Sequence, residues 1–246
     1  KLLELIDMEK ENAKEIIGRC IFVALGSFNP AILHPEWLSR HKILPEEEIA
    51  GLFAEPLKKE IPELNAVIEF GQNFVVSSTQ TSLHLKSFIL NVTREKFEIH
   101  SEKRDRFPLM IDLIKKIFLL LSETPIKAYG LNFEEHIKFD KKFHEIAASF
   151  FTATGNIKQV FGNDYLAGHK IISSVDNATL TFKFEPSPVM DDGVFFKFNF
   201  HYENDSSDTK FIVDKISANL ERAITFAENL FTSFCGNMIE RKGKIR

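Results

Sequence analysis

Thr179-Leu180-Thr181-Phe182-Lys183-Phe184 and Phe196-Lys197-Phe198-Asn199-Phe200-His201-Tyr202 decide how this chain folds. In both segments every second residue is apolar or aromatic. A period of two puts that set on one side of a pleated strand and the polar set on the other. The segments therefore read as half-buried strands of an antiparallel sheet. Just before them Lys170 to Val175 reads as another strand, turning at Asp176-Asn177, and Pro186, Pro188 and Gly193 mark a loop between the two quoted segments. Beyond them Ser207-Asp208-Thr209 can cap a long helix. Its apolar stripe is Ile212, Ile216, Leu220, Ala223, Ala227, Leu230 and Phe234, with Gly236 just past the end.

The first half has the same order of elements. Ala66, Ile68 and Phe70 alternate up to the Gly71-Gln72-Asn73 turn and Phe74 to Ser78 return; Leu83 to Val92 and Phe97 to His100 then pair across Thr93-Arg94-Glu95. Pro108 opens a helix running to about Ser122, Pro125 closes it, and Ile126 to Phe139 gives a strand followed by a helix over Asp140 to Phe151. Upstream, Leu2 to Ile17 reads as a short amphipathic helix. Ile17 to Leu25 is almost continuously apolar, as a strand covered on both faces would be. Asn29-Pro30 ends that strand, and Pro35 and Pro45 each open a short helix, to about His41 and Phe53.

The expected architecture is α+β: two antiparallel-meander-plus-helix halves, pseudo-duplicated, with a long C-terminal amphipathic helix. Residues 1–16 form an extension, 17–151 the first half and 152–246 the second, packed as one compact unit. Helices should lie on one face of the sheet, leaving the other open or covered by a partner.

Composition narrows the function classes. The 246 residues carry 25 Phe against 3 Tyr and 1 Trp, so most aromatic mass has no polar handle and suits core packing. A net charge of -4 supplies no global field for nucleic acid or anionic membrane, so such a partner would need a local basic patch. Cys20 and Cys235 are expected to be unpaired thiols in a reducing compartment. The longest apolar run, Phe107 to Leu121, is broken by Asp112, Lys115 and Lys116, and the Asn91, Asn177 and Asn204 glycosylation triplets have no secretory context. A cytoplasmic protein with no membrane partner is expected.

The densest unusual cluster contributes the candidate binding residues Phe28, Asn29, His34, Trp37 and His41, in and after a loop that carries the only Trp. The same residues also have an architectural use: Asn29-Pro30 turns the chain, Pro35 starts a helix and Trp37 plugs the edge of a core. His34 and His41 are seven apart and share a helix side, but no third ligand is locally fixed, so no metal and no cofactor are expected. His144-Glu145 lacks the second His of a zinc-protease helix, since Ala148 occupies that place. Glu185, Asp191 and Asp192 could form a nuclease carboxylate set, but Phe195 stands where its lysine belongs. Gly162 and Gly168 before His169-Lys170 miss phosphate-loop spacing. Two basic runs remain, Lys103 to Arg106 and Arg241 to Arg246, each suited to a solvated surface.

The stretch from Lys86 to Phe139, with its Arg94 turn and Tyr129-Gly130-Leu131-Asn132, together with the terminal helix through Phe231, resembles an uncharacterised, sporadically distributed prokaryotic family. The resemblance implies no activity; families of this kind sit in mobile or antiviral-defence gene neighbourhoods. The reading that follows is a non-enzymatic interaction protein, an accessory or regulatory subunit. It would bind a protein partner or another copy of itself through a Phe-rich sheet face and the long helix. The alternatives are a metal-dependent hydrolase or nuclease, and a small-ligand or lipid-binding module.

Overall fold

The computed structural model describes residues 15–52, 57–61, 66–71, 73–138, 167–204 and 209–235. Eleven strands form one sheet: β1 (Glu15–Gly26), β2 (Leu57–Ile61), β3 (Ala66–Gly71), β4 (Phe74–Val76), β5 (Gln80–His84), β6 (Ile89–Thr93), β7 (Lys96–Ser101), β8 (Ile126–Lys138), β9 (His169–Val175), β10 (Ala178–Pro186) and β11 (Gly193–Glu203). Their spatial order is β2-β3-β4-β5-β6-β7-β1-β8-β11-β10-β9. The helices are α1 (Pro35–Arg40), α2 (Glu46–Ile49), α3 (Phe107–Leu120) and α4 (Thr209–Cys235).

Every strand pair is antiparallel, and the register sorts the side chains. Phe74, Leu83, Leu90, Ile99, Phe22, Leu131, Phe200 and Leu180 stand opposite one another in successive strands from β4 to β10. All eight are buried. The helices lie on this face. Phe118 of α3 meets Phe22 and Phe97, Phe226 of α4 meets Phe200 edge-on, and Pro30 before α1 accepts a 2.7 Å bond from Thr81 Oγ1. Alternation makes the sheet two-faced, and burying the apolar face contributes roughly 25 cal/mol for each Å² removed from water.

Polar ties fix the layer where phenylalanine offers none. Asn219 of α4 donates to Tyr129 Oη at 2.7 Å, and Tyr202 Oη donates to Asn219 O at 3.3 Å, while the two tyrosine rings stack 5.0 Å apart. Burial raises the pKa of both phenols, which keeps both protonated. Glu48, itself buried, accepts from Ser87 N at 2.9 Å and from Ser87 Oγ at 2.8 Å.

That last contact accounts for one departure from the sequence reading. Leu83 to Val92 is two strands, β5 and β6, joined by a turn that holds Ser87 against Glu48. Ile17 to Leu25 is covered on one face only: Cys20, Phe22 and Ala24 are buried, Ile21 and Val23 half-buried, and Leu25 is 44% exposed. Residues 15–17 belong to β1 rather than to a helix, because β8 supplies their ladder partners. Strand β2 was not foreseen. The Asp140–Phe151 helix, the Ser207-Asp208 cap and Gly236 lie outside the described residues.

In α4, Val213, Ile216, Leu220, Ala223 and Ala227 are buried, and Glu221 and Arg222 are exposed. Leu220→Ala is expected to lower unfolding free energy by about 2 to 5 kcal/mol and Arg222→Ala to change it by less than about 0.5 kcal/mol, both read by denaturant titration. Equal effects would contradict this helix orientation.

Candidate functional site

The face of the sheet opposite the helices is left uncovered by the described elements. Its side chains come from the polar phase of each strand, and the register sets them in cross-strand rows. One row runs Arg19, Glu134, Lys197, Lys183 and Lys170 through β1, β8, β11, β10 and β9. A second runs His100, Ile21, Asn132, Asn199 and Thr181. A third brings His136 beside Phe195 and Phe195 beside Glu185.

Glu134 is the electrostatic centre of the first row. Lys197 Nζ donates to its Oε1 at 2.6 Å, and Arg19 Nε donates to its Oε2 at 3.2 Å. Burial alone would push this carboxyl up, but the hydrogen bonds from Lys197 and Arg19 and their charges outweigh it and hold the pKa below the usual carboxylate value. In the third row the His136 and Phe195 rings stack 4.5 Å apart at 25°. Ser187 Oγ accepts from Val189 N and Met190 N and lies in hydrogen-bond contact with His136 Nδ1 at 2.9 Å. Burial lowers the His136 pKa.

Neighbouring residues of a strand point to opposite faces, so Glu135 lies under the helices while Glu134 faces out. Glu135 is buried beside Phe107, Phe133, Phe198 and Ile224. Gly18 stands opposite it in β1, and a Cβ there would come within 2.5 Å of the Glu135 carboxylate. The pair of adjacent glutamates thus forms no shared acid–base site.

A second feature lies at one end of the sheet. A cleft of about 830 Å³ is walled by Leu25, Phe28, Asn29, Ser78, Arg94 and Lys127, among others. Its backbone is well fixed: Gly26 N donates to Glu95 O, Ser27 N to Pro125 O and Phe28 N to Arg94 O, all at 3.1 Å or less. Gly26 is required there because a Cβ would fall 2.1 Å from Pro125 O.

The structure separates the five candidate binding residues. Phe28 and Asn29 line the cleft, with Phe28 also packed on Phe97 and Phe118. His34 is the N-cap of α1, where its Nδ1 accepts from Glu36 N and its ring meets Phe74 edge-on. Trp37 is half-buried against the core and lies 5.0 Å from the exposed His41. His34, Trp37 and His41 do not line the cleft. Among the described residues no three His, Cys, Asp or Glu side chains are grouped to hold a metal ion. Asp191 and Asp192 are exposed in the β10–β11 turn, Asp192 with φ 56°. Cys20 is buried in β1; the Cys235 side chain, Gly162, His144 and the Arg241–Arg246 run lie outside the description. No helix among the described residues is long and apolar enough to cross a membrane.

The row of charges was missed because its members are scattered through the sequence. Lys170, Lys183 and Lys197 each occupy the polar phase of a strand, and that signal names the face but not the neighbours.

Because Glu134 titrates below its unfolded value, its contribution to stability is fully present above the ordinary carboxylate range and is lost as pH falls through the folded pKa. Glu134→Gln should cost about 1 kcal/mol at pH 7 and progressively less on acidification, measured by urea titration across the acid range.

No family model and no curated protein sequence matches this chain.

Proposed function

We propose that this is a non-enzymatic interaction protein, an accessory or regulatory subunit, and that the uncovered face of the sheet is its binding surface. One observation carries the reading: every described helix packs on one side of an eleven-stranded sheet. The other side holds ordered, half-exposed polar, aromatic and aliphatic side chains across at least five adjacent strands. A solvated sheet face has no need of aligned Asn132 and Asn199, a stacked His136–Phe195 pair and a continuous row of charges. The Phe-rich face, by contrast, is core, because Phe196, Phe198 and Phe200 lie beneath the helix layer. Docking is therefore assigned to the opposite side.

The resemblance to a sporadic prokaryotic family, a cytoplasmic location and a part in antiviral defence belong to the same proposal. So does descent by duplication. Its support is that β1 and β8 lie side by side and each pairs on its outer side with a meander, β7-β6-β5 (continued by β4-β3-β2) and β11-β10-β9, whose last strand in sequence leads into α3 or α4.

The cleft favours a second reading, a small-ligand module that holds an anionic molecule between Arg94 and Lys127.

Thr181 lies mid-face in β10 and is half-exposed. Purification of the full chain from its native cells is expected to recover a stoichiometric macromolecular partner. Thr181→Trp should lose that partner by steric block while melting as the parent does. Retention by Thr181→Trp, with loss on Arg94→Ala, would move the binding surface to the cleft.

A further inference from the structure

The open face is not evenly charged. Lys197, Lys183 and Lys170 stand side by side in β11, β10 and β9, on strands roughly 4.8 Å apart. Arg19 and Glu134 continue the row, so it holds four cations and one carboxylate on a chain whose net charge is -4. Like charges directly opposite in an antiparallel pair destabilise it. Solubility alone is better served by interspersed signs, so the lysine row needs an anionic partner to account for it.

One residue pair further along the strands, roughly 7 Å away, lies the His136–Phe195 stack. Phe195 is half-exposed, on the side away from the helices. The His136 ring is held in place by its hydrogen-bond contact with Ser187 Oγ. On the other flank of the row Asn132 and Asn199 stand opposite each other, with amides able to donate and accept. The surface thus sets a cationic track beside an aromatic platform, with Glu185 the carboxylate opposite Phe195.

We propose that this part of the open face, across β8 to β11, binds single-stranded nucleic acid, with phosphates along the lysine row and a base stacked at Phe195. The inference rests on reading the open face as the binding surface. An acidic peptide would use the lysines but leave the aromatic pair without a role. A duplex keeps its base faces stacked inside, whereas a single strand presents both charge and π-face.

The test is fluorescence anisotropy of a labelled oligo-uridine of roughly 15 nucleotides, with the full chain. Binding is expected, with log K falling against log salt at a slope of about -2 to -3, as for three or four neutralised phosphates. Lys170→Glu combined with Lys183→Glu should weaken it at least about tenfold. Phe195→Leu should weaken it by about five- to a hundredfold at an unchanged melting temperature, and Phe195→Tyr should retain it. Absence of binding at about 50 mM salt, or parental affinity in both the double lysine variant and Phe195→Leu, overturns the proposal. If polyglutamate competes as well as oligo-uridine and Phe195→Leu has no effect, the partner is acidic protein. That result sinks the nucleic-acid assignment alone, whereas retention of the native partner by Thr181→Trp sinks the open-face reading beneath it.

Discussion

The antiparallel ladder between β1 and β8 is the contact on which the rest of the structure depends. It runs from Glu15 opposite Lys138 to Gly26 opposite Ile126, and each of the two strands carries a meander on its outer side. Its register decides both faces at once. As paired, Phe22 meets Leu131 under the helices and Arg19 meets Glu134 outside. Reversing the phase of either strand by one residue would carry its charged set into the core and its apolar set into water. Gly18 is tied to the same choice, since a Cβ there would meet the carboxylate of the buried Glu135 and force it to shift.

Aromatic composition follows from that one-sided burial. Beneath α3 and α4 there is little for a polar ring substituent to bond, and the positions are taken by Phe22, Phe97, Phe118, Phe182, Phe184, Phe196, Phe198 and Phe200. Among the described residues tyrosine occurs where a partner exists, at Tyr129 and Tyr202 against Asn219. The tie locates α4 along the sheet, where ring packing alone would tolerate sliding, because dispersion is not directional while a hydrogen bond is. The buried Glu48 does the same for the turn at Ser87, linking α2 to the β5–β6 hairpin.

The outer face obeys different physics. Glu134 is bonded from both sides, so its single charge is shared between Arg19 and Lys197, while Lys183 and Lys170 stand further along the row. The excess positive charge therefore grows toward β9, away from the β1–β8 pair. Most side chains of β9 are exposed, Ile172 being 62% exposed. A ligand attracted to this face would meet its strongest field near the sheet edge, where access is widest.

Much of this was legible in the residues. Alternation in Thr179–Phe184 and Phe196–Tyr202 reads directly as two-faced strands, Asp176-Asn177 as a tight hairpin turn, here with φ 46° and 64°, and Pro108 as a helix start. These depend on local backbone chemistry and on spacings of two to four residues, which a linear sequence states outright. Phe28, Asn29, His34, Trp37 and His41 stand out in the sequence as one cluster, and their division, with Phe28 and Asn29 on the cleft wall and His34 capping α1, was not legible there. What only the tertiary structure decided is adjacency between strands: the placement of β1 against β8, the split of Leu83–Val92 by Glu48, and the alignment of Arg19, Glu134, Lys197, Lys183 and Lys170. Each alignment depends on a register between segments up to more than a hundred residues apart. That register is chosen by which apolar faces bury each other, a property of the packed sheet and of no segment alone.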